Sequence, residues 1–191
     1  MELTNNPLSS QDVEAISRRI DRPVVLVGLM GVGKSSVGKR LAAILNCPFV
    51  DADDAIEASA QMSIQEIFDT YGEAYFRDGE RRVIARLMEN QAGPKVIATG
   101  GGAFCNAETR ALILQKGIAV WLDSDIDTLV ERTARKRDRP LLNQGDPREI
   151  LTRLREERRS AYAEAPVHIH SGHGPHGQTV DKVLKGIDAW L

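Results

Sequence analysis

The sequence predicts an α/β fold in which a parallel sheet carries helices on both faces. Short runs of apolar, often β-branched residues alternate along the chain with longer segments whose apolar residues recur at helical spacing. No internal repeat or domain-sized linker interrupts this alternation. We therefore expect a single domain over residues 23–191, preceded by an N-terminal extension over residues 1–22 in which SSQDVEAISRRI forms a short additional helix.

Five apolar runs are expected to form the strands. Each is short and bounded by proline, glycine or polar residues, as buried strands of parallel sheets are. They are PVVLVGL from Pro23, PFVDAD from Pro48, KVIATGGG from Lys95, IAVWLD from Ile118 and VHIH from Val167.

The intervening segments predict helices with recognisable ends. Ser63 and Glu66 form a capping box for SIQEIFDTYG, Asn106 precedes AETRALILQKG, and Ser124 precedes DIDTLVERTA. Pro147 stands at the expected start of the helix PREILTRLREERRSAYAEA. Gly79 weakens the helical pattern of EAYFRDGERRVIARLMENQ.

Charge and cysteine content exclude several classes of protein. The 25 basic and 27 acidic residues give a net charge of −2, which argues against a nucleic-acid partner. Cys47 and Cys105 belong to no Cys-x-x-Cys pattern, so neither a disulfide scaffold nor a zinc site is indicated. Without a signal peptide or a membrane-spanning apolar run, we expect a monomeric cytoplasmic protein with no membrane partner.

The stretch GLMGVGKS, Gly28 to Ser35, fits the pattern Gly-x-x-x-x-Gly-Lys-[Ser/Thr] of phosphate-binding loops. Its glycines allow backbone N–H groups to approach phosphate oxygens at a helix N-terminus. Lys34 is expected to contact the β and γ phosphates and Ser35 to ligate Mg²⁺. The alternative is an ordinary glycine-rich turn, but the strand before it and the helix after it favour nucleotide binding. Kinases, GTPases and ATP-driven machines share this loop, so it does not identify the phosphoryl acceptor.

Carboxylates and glycines follow other predicted strands, at the sheet edge where α/β proteins bind ligands. Asp51 and Asp53 would point to the same side if the backbone stayed extended, one serving magnesium and the other the substrate. Helix capping is the alternative for either residue, and it is the preferred interpretation for Asp123. The run TGGG, residues 99–102, favours close backbone approach to a ligand, with a flexible turn as the alternative.

Seven segments, in the order GLMGVGKSSVGKRLA, DADDAIE, SIQEIF, YFRDGE, TGGGA, RPLL and RRSAYAEA, resemble the shikimate kinase family from about Val24 onward. The resemblance implies a P-loop fold like that of nucleoside-monophosphate kinases, with a five-stranded parallel sheet, a substrate-binding helical region and a LID at about residues 134–146. It also implies transfer of the ATP γ-phosphoryl group to the 3-hydroxyl of shikimate, with Mg²⁺, in aromatic amino-acid biosynthesis.

The resemblance implies a role for each matching residue. Those implied to bind nucleotide are Gly31, Val32, Gly33, Lys34, Ser35, Ser36, Arg132, Arg139 and Pro175. Those implied to bind shikimate are Asp53, Arg77, Gly100, Gly101, Gly102 and Arg158. Ser35 and Asp51 are implied to serve the metal, Arg132 to stack on adenine, and Lys34, Asp53 and Arg139 to act in catalysis.

Some details depart from the family or stay open. Ser160 and Ala161 stand where the family usually has Pro and Leu in its Arg-x-Pro-Leu-Tyr pattern. Glu80 is positioned to hold Arg77, although a surface i,i+3 ion pair is the alternative. The histidines of VHIHSGHGPHG are interpreted as exposed loop residues rather than a metal site.

Two other functions compete with shikimate phosphorylation. A gluconate kinase would share the loop and fold, but the set of Arg77, Arg158 and three glycines disfavours it. A GTPase switch or an ATP-dependent binding module would share only the loop, and the sequence contains no Asn-Lys-x-Asp element for guanine recognition.

Overall fold

A five-stranded parallel sheet forms the centre of the protein, in a computed structural model that describes residues 8–89, 93–134, 145–172 and 176–191. The strands are β1 Val24–Val27, β2 Phe49–Asp51, β3 Val96–Ala98, β4 Ile118–Asp123 and β5 Val167–His170. The strand order is β2-β3-β1-β4-β5, and all four neighbouring pairs are parallel. All five predicted strands are thus confirmed.

Eight helices surround the sheet in the described part of the chain. They are α1 Ser10–Arg19, α2 Lys34–Ile44, α3 Ala52–Ala60, α4 Ile64–Glu89, α5 Ala107–Lys116, α6 Ile126–Ala134, α7 Pro147–Tyr162 and α8 His176–Trp190. A short 3₁₀ turn spans Ala103–Cys105. None of the described helices combines the length and the apolar character that a membrane crossing requires.

Two hydrophobic clusters hold these elements together. The larger one contains every residue of β1, Val96 and Ile97 of β3, and the buried side chains of β4 and β5, as expected for strands covered on both faces. The smaller one joins α3 to α4 and contains Ile56, Ile67, Phe76 and Val83. The second half of α4 returns to the larger cluster through Ile84 and Met88.

Helix α1 packs on the domain rather than standing apart from it. Ile16 and the following Ile20 are buried in the larger cluster. Ser9 and Asp12 form a capping box at the start of the helix, and Arg19 pairs with Asp188 near the end of α8 at 2.5 Å. The predicted helix in the N-terminal extension is therefore confirmed.

Several helix ends match the sequence, and two do not. The capping box of Ser63 and Glu66 is present, as is the Asn106 cap, which accepts from Thr109 N–H at 3.0 Å. The prediction for Ser124 is wrong, because α6 begins at Ile126 and the Ser124 hydroxyl donates to the Ser171 carbonyl at 2.6 Å.

The capping prediction for Asp123 is also wrong. Asp123 lies three residues before Ile126, the first residue of α6. Its carboxylate accepts the Ser124 N–H at 2.9 Å and pairs with Arg155 of α7 at 3.1 Å.

The break in α4 falls at Gly72, whose φ of 81° is left-handed, while Gly79 stays helical.

Candidate active site

The glycine-rich loop joins β1 to α2 in the conformation that its sequence predicts. Gly28, Gly31 and Gly33 have φ values of 137°, 82° and 100°, which side-chain-bearing residues rarely adopt. Gly33 is the residue before the first turn of α2, so the N–H groups of that turn face the loop. The loop thus presents the donors and the helix dipole that bind phosphate groups.

Lys34 places its positive charge inside this loop. Its ammonium donates to the carbonyl oxygens of Gly28 at 2.8 Å and of Leu29 at 2.9 Å. A cation held against the backbone of a phosphate-binding loop is available to an anion that enters the loop. This geometry supports the predicted contact between Lys34 and the β and γ phosphates.

Ser35 and Asp51 bring a hydroxyl and a carboxylate together beside the loop. The Ser35 hydroxyl donates to Oδ2 of Asp51 at 2.6 Å, while Oδ1 accepts the Asp53 N–H at 3.1 Å. Asp51 therefore caps α3 with one oxygen and offers the other to the loop. Such hard oxygen donors fit Mg²⁺.

Asp51 and Asp53 come together differently from the expected extended pair. The backbone turns into α3 at Ala52, so Asp53 lies in the first helical turn rather than on a continuing strand. The extended backbone on which that alignment depended is absent, and the helix-capping alternative is confirmed for Asp51. Their proximity arises from the cap, because the Asp51 carboxylate accepts from the backbone of Asp53.

The environment of Asp53 disfavours its ionisation. Burial is the main cause, and the charges of Asp51 and Glu80 add to it, while Lys34 acts in the opposite direction. Together they raise the pKa of the Asp53 carboxyl from 3.8 to about 6. A carboxylate with a pKa near neutrality is a suitable proton acceptor for an enzyme that works near neutral pH.

The triple glycine makes room for side chains from three helices. A Cβ at Gly100 would lie 2.6 Å from Oε1 of Glu80 and 3.0 Å from Oδ1 of Asp53. At Gly102 it would lie 2.5 Å from Nη1 of Arg77, and at Gly101 it would lie 3.2 Å from Nη1 of Arg158. The close approach predicted for TGGG is therefore present, since each glycine faces a charged side chain.

Arg77 and Glu80 form a partly buried ion pair, with the Arg77 side chain 27% exposed, and not the surface pair that was the alternative. Nη1 of Arg77 lies 2.8 Å from Oε2 of Glu80, whose side chain is only 4% exposed. Burial raises the pKa of Glu80, and Arg77 opposes that rise. Among the described residues, Oε1 of Glu80 has no hydrogen-bond partner.

Arg132, a residue of α6, lies next to the phosphate-binding loop. Its guanidinium donates to the Val32 carbonyl at 3.2 Å and to the Gly172 carbonyl, just after β5, at 3.0 Å. It therefore links the phosphate-binding loop to the segment where the adenine contact is expected. Arg139, Pro175 and most of the LID at residues 134–146 lie outside the described residues.

The histidines of β5 do not gather metal ligands. His168 stacks on Trp121 with ring centroids 3.9 Å apart, and burial lowers its pKa. In the described ranges, no group of three or more His, Cys, Asp or Glu side chains is arranged to hold a metal. The side chains of His168 and His170 are both half exposed, although they lie on β5 and not in a loop. His173 and the side chain of His176 lie outside the described part of the chain.

One residue of the site, Tyr162, was assigned no role from the sequence, although it stands at the Tyr of the family's Arg-x-Pro-Leu-Tyr pattern. Tyr162, the last residue of α7, donates its hydroxyl hydrogen bond to the Gly101 carbonyl. The sequence pattern of α7 places Tyr162 among the apolar residues on one face of an amphipathic helix, and its ring is buried there. A hydrogen bond across 61 positions depends on tertiary packing and not on local spacing.

Comparisons with known proteins agree with this geometry. The family model for shikimate kinase matches residues 30–188. The shikimate kinase of Novosphingobium aromaticivorans is 63% identical over 186 residues, which cover 96% of each chain. That of Caulobacter vibrioides is 56% identical over 166 residues, which cover 87% of this chain and 82% of that protein.

A solved structure extends the similarity to three dimensions. The shikimate kinase from Acinetobacter baumannii in complex with shikimate matches with a TM-score of 0.85 and 35% identity, covering 91% of this chain and 97% of that chain. This match confirms the predicted nucleoside-monophosphate-kinase-like P-loop fold. With a family match over most of its length and close relatives over nearly all of it, the chain belongs to the shikimate kinase family.

Proposed function

We propose that the protein transfers the γ-phosphoryl group of ATP to the 3-hydroxyl of shikimate, in the pathway to chorismate and the aromatic amino acids. One observation carries this proposal. The triple glycine brings Asp53, Arg77 and Arg158 together next to the phosphate-binding loop. A carboxylate and two guanidinium groups match a substrate that has both a reactive diol and a carboxylate. The shikimate bound by the relative from Acinetobacter baumannii supports the same assignment.

The nucleotide half of the site binds and orients the phosphates. Backbone N–H groups of residues 31–36 and the Lys34 ammonium hold the β and γ phosphates. Ser35 and Asp51 would hold Mg²⁺, which supplies positive charge against the phosphate oxygens when bound. Arg132 lies where it can stack on the base.

The acceptor half orients the hydroxyl and binds the carboxylate. Asp53 accepts a hydrogen bond from the 3-hydroxyl, and with its raised pKa it can also take the proton as the oxygen attacks. Arg77 and Arg158 bind the carboxylate, and Glu80 keeps the Arg77 guanidinium in place. Fixing both ends of the acceptor holds its oxygen near the phosphorus, which lowers the entropic barrier to transfer.

The remaining assignments are part of the same proposal. We place Arg139 on the transferring phosphoryl group and Pro175 on the base, by their resemblance to family residues. The protein would act as a cytoplasmic monomer, with the catalytic domain over residues 23–191. A LID at residues 134–146 would exclude water from the reaction.

A coupled ADP-release assay tests the proposed function. ATP turnover is expected only when shikimate is present, because a positioned acceptor is needed for transfer. Gluconate in place of shikimate, and GTP in place of ATP, serve as the discriminating conditions. Turnover with gluconate would favour the other kinase, and turnover of GTP without an acceptor would favour a nucleotide switch.

Replacing Arg77 with alanine is expected to raise KM for shikimate about 10- to 100-fold, because a charge-assisted contact to the carboxylate is lost. KM for ATP should stay unchanged. Thermal stability should fall as well, since Glu80 is left buried without its partner. Arg82→Ala is the matched control, because Arg82 is exposed on the same helix and pairs with Asp78. An unchanged KM for shikimate in Arg77→Ala would contradict the assignment.

Activity is expected to depend on the ionisation of Asp53. A carboxyl group with a pKa of about 6 is protonated at lower pH, where it no longer accepts the hydroxyl hydrogen. On the acidic side of the pH profile, kcat/KM should therefore fall about tenfold for each pH unit below pH 6. Carbon NMR titration of the ligand-free protein measures this pKa directly, with Asp53→Asn identifying the resonance. A carboxyl that titrates near 4 at this position would disprove the prediction.

A further inference from the structure

Tyr162 lies within the site although none of the steps above requires it. Its side chain is only 2% exposed, and its ring packs against Trp121 with centroids 5.8 Å apart. Its hydroxyl donates to the carbonyl oxygen of Gly101. Burial raises the pKa of Tyr162 well above its ordinary value, more than nearby Arg158 lowers it. The hydroxyl is therefore a permanent donor to the triple glycine.

Helix α7 contacts Gly101 with two side chains from successive turns. Arg158 and Tyr162 are four residues apart and so lie on the same face of the helix. Nη1 of Arg158 lies 3.2 Å from the place that a Cβ of Gly101 would occupy. Tyr162 reaches the carbonyl of the same residue. The guanidinium and the glycine backbone are thus held at a fixed distance by one rigid element.

The position of the Gly101 carbonyl also fixes the next backbone donor. The Gly101 carbonyl and the Gly102 N–H belong to one planar trans peptide unit and point in opposite directions. Backbone hydrogen bonds close the turn on either side of this unit, from Ala103 N–H to the Gly100 carbonyl at 3.2 Å and from Cys105 N–H to the Gly102 carbonyl at 3.0 Å. Neither bond involves the Gly101 carbonyl or the Gly102 N–H, and the absence of Cβ atoms on both glycines allows the unit between them to rotate. A hydrogen bond to the carbonyl therefore determines where the Gly102 N–H points.

A neighbouring contact holds the segment after the glycines. Arg110 of α5 donates to the carbonyls of Phe104 at 3.1 Å and Cys105 at 3.2 Å, and pairs with Glu164 at 3.0 Å. Those contacts anchor the 3₁₀ turn to the chain just beyond α7. These hydrogen bonds are to Phe104 and Cys105, whereas the Gly101 carbonyl accepts its hydrogen bond from the Tyr162 hydroxyl of α7.

The residues that depart from the family pattern preserve this arrangement. Ser160 and Ala161, which replace the usual Pro and Leu, are helical, and α7 runs without interruption to Tyr162. The helix continues its hydrogen bonding through Ala163, whose N–H donates to the Arg159 carbonyl at 2.9 Å. The four-residue spacing between Arg158 and Tyr162 therefore stays that of a regular helix.

We propose that Tyr162 is a positioning residue for the acceptor substrate. It orients the Gly101–Gly102 peptide and fixes the position of that peptide relative to Arg158. A backbone donor and a guanidinium can then bind the substrate at the same time. This inference rests on the proposed function of the same site. It concerns binding of the acceptor first, because the Tyr162 hydroxyl donates to Gly101 beside Arg158. Gly101 also lies near the backbone of Gly28 and Met30 in the phosphate-binding loop, so KM for ATP is measured alongside.

Tyr162→Phe tests the inference, since it removes the hydroxyl and retains the ring. KM and the calorimetric Kd for shikimate are expected to rise about three- to tenfold, which is the effect of losing one buried hydrogen bond. KM for ATP and kcat should change by less than about twofold. The Gly102 amide resonance should shift or broaden in the ligand-free variant. Tyr71→Phe is the matched control, because that tyrosine is 53% exposed and should leave all of these values unchanged.

Two other outcomes are distinguishable. If Tyr162 only stabilises the fold, Tyr162→Phe will lower Tm while Kd for shikimate stays at the unsubstituted value, and the inference is overturned. If the unsubstituted protein neither binds nor phosphorylates shikimate, the proposed function fails and the inference falls with it. An active enzyme with selectively weaker shikimate binding in the variant supports both.

Discussion

Replacing Asp53 with asparagine is expected to lower kcat for phosphoryl transfer by about 10²- to 10⁴-fold and to raise the thermal stability of the protein. The loss of rate follows because the amide cannot take the proton of the acceptor hydroxyl. The gain in stability follows because ionisation of Asp53 destabilises the folded state. Its folded-state pKa of about 6 lies above the ordinary value of 3.8, so this destabilisation is complete above pH 6 and vanishes below about pH 4.

Steady-state kinetics and thermal unfolding at pH 7 measure these two effects. The stabilisation should be on the order of 1–3 kcal/mol, or a few degrees in Tm. Asp54→Asn is the matched control, because Asp54 is exposed in the same helical turn and is the smallest of the named charges that raise the pKa of Asp53. Both quantities should change far less in this variant than in Asp53→Asn. Near-normal kcat in Asp53→Asn would show that the carboxylate has no chemical role. A drop in Tm would show that its charge is stabilising after all.

Gly28→Ala is expected to have the largest effect on folding among the glycines of the phosphate-binding loop. A Cβ at this position would lie 2.2 Å from the carbonyl oxygen of Leu122 in β4, and φ is 137°. The obstructing atom belongs to the backbone of a central strand and cannot move aside. We expect a loss of stability on the order of 3 kcal/mol or more.

Gly79→Ala is expected to raise the stability of the protein, which is the opposite effect from Gly28→Ala. Gly79 is helical, and a Cβ there meets nothing within 4 Å. Alanine should therefore stabilise α4 by about 0.5–1 kcal/mol. Chemical denaturation of both variants measures the difference. Equal stabilities for Gly28→Ala and the unsubstituted protein would mean that the loop does not pack against β4 as described.

The sequence was sufficient to predict the sheet and the location of the site. Strand runs have a strong local pattern, and the carboxyl ends of parallel strands meet at one edge, so Asp51 and the glycine triplet could be placed together before their geometry was known. The motif resemblance then supplied Arg77 and Arg158, whose helices reach that edge from distant parts of the chain.

The errors concern contacts that local patterns do not encode. Ser124 is a residue type that commonly caps helices, but its hydroxyl donates to the buried Ser171 carbonyl instead. The Asp123 carboxylate pairs with Arg155 of another helix, α7. The break in α4 occurs at Gly72 because that glycine adopts a left-handed conformation, which composition alone cannot distinguish from a helical glycine such as Gly79.

The two hydrophobic clusters separately support two groups of candidate site residues. Ile56, Ile67 and Phe76 pack with one another between α3 and α4, the helices that carry Asp53 and Arg77, whereas Leu29 and Val32 of the phosphate-binding loop belong to the larger cluster. Substitutions in the smaller cluster are therefore expected to displace Asp53 and Arg77 more than the phosphate-binding loop.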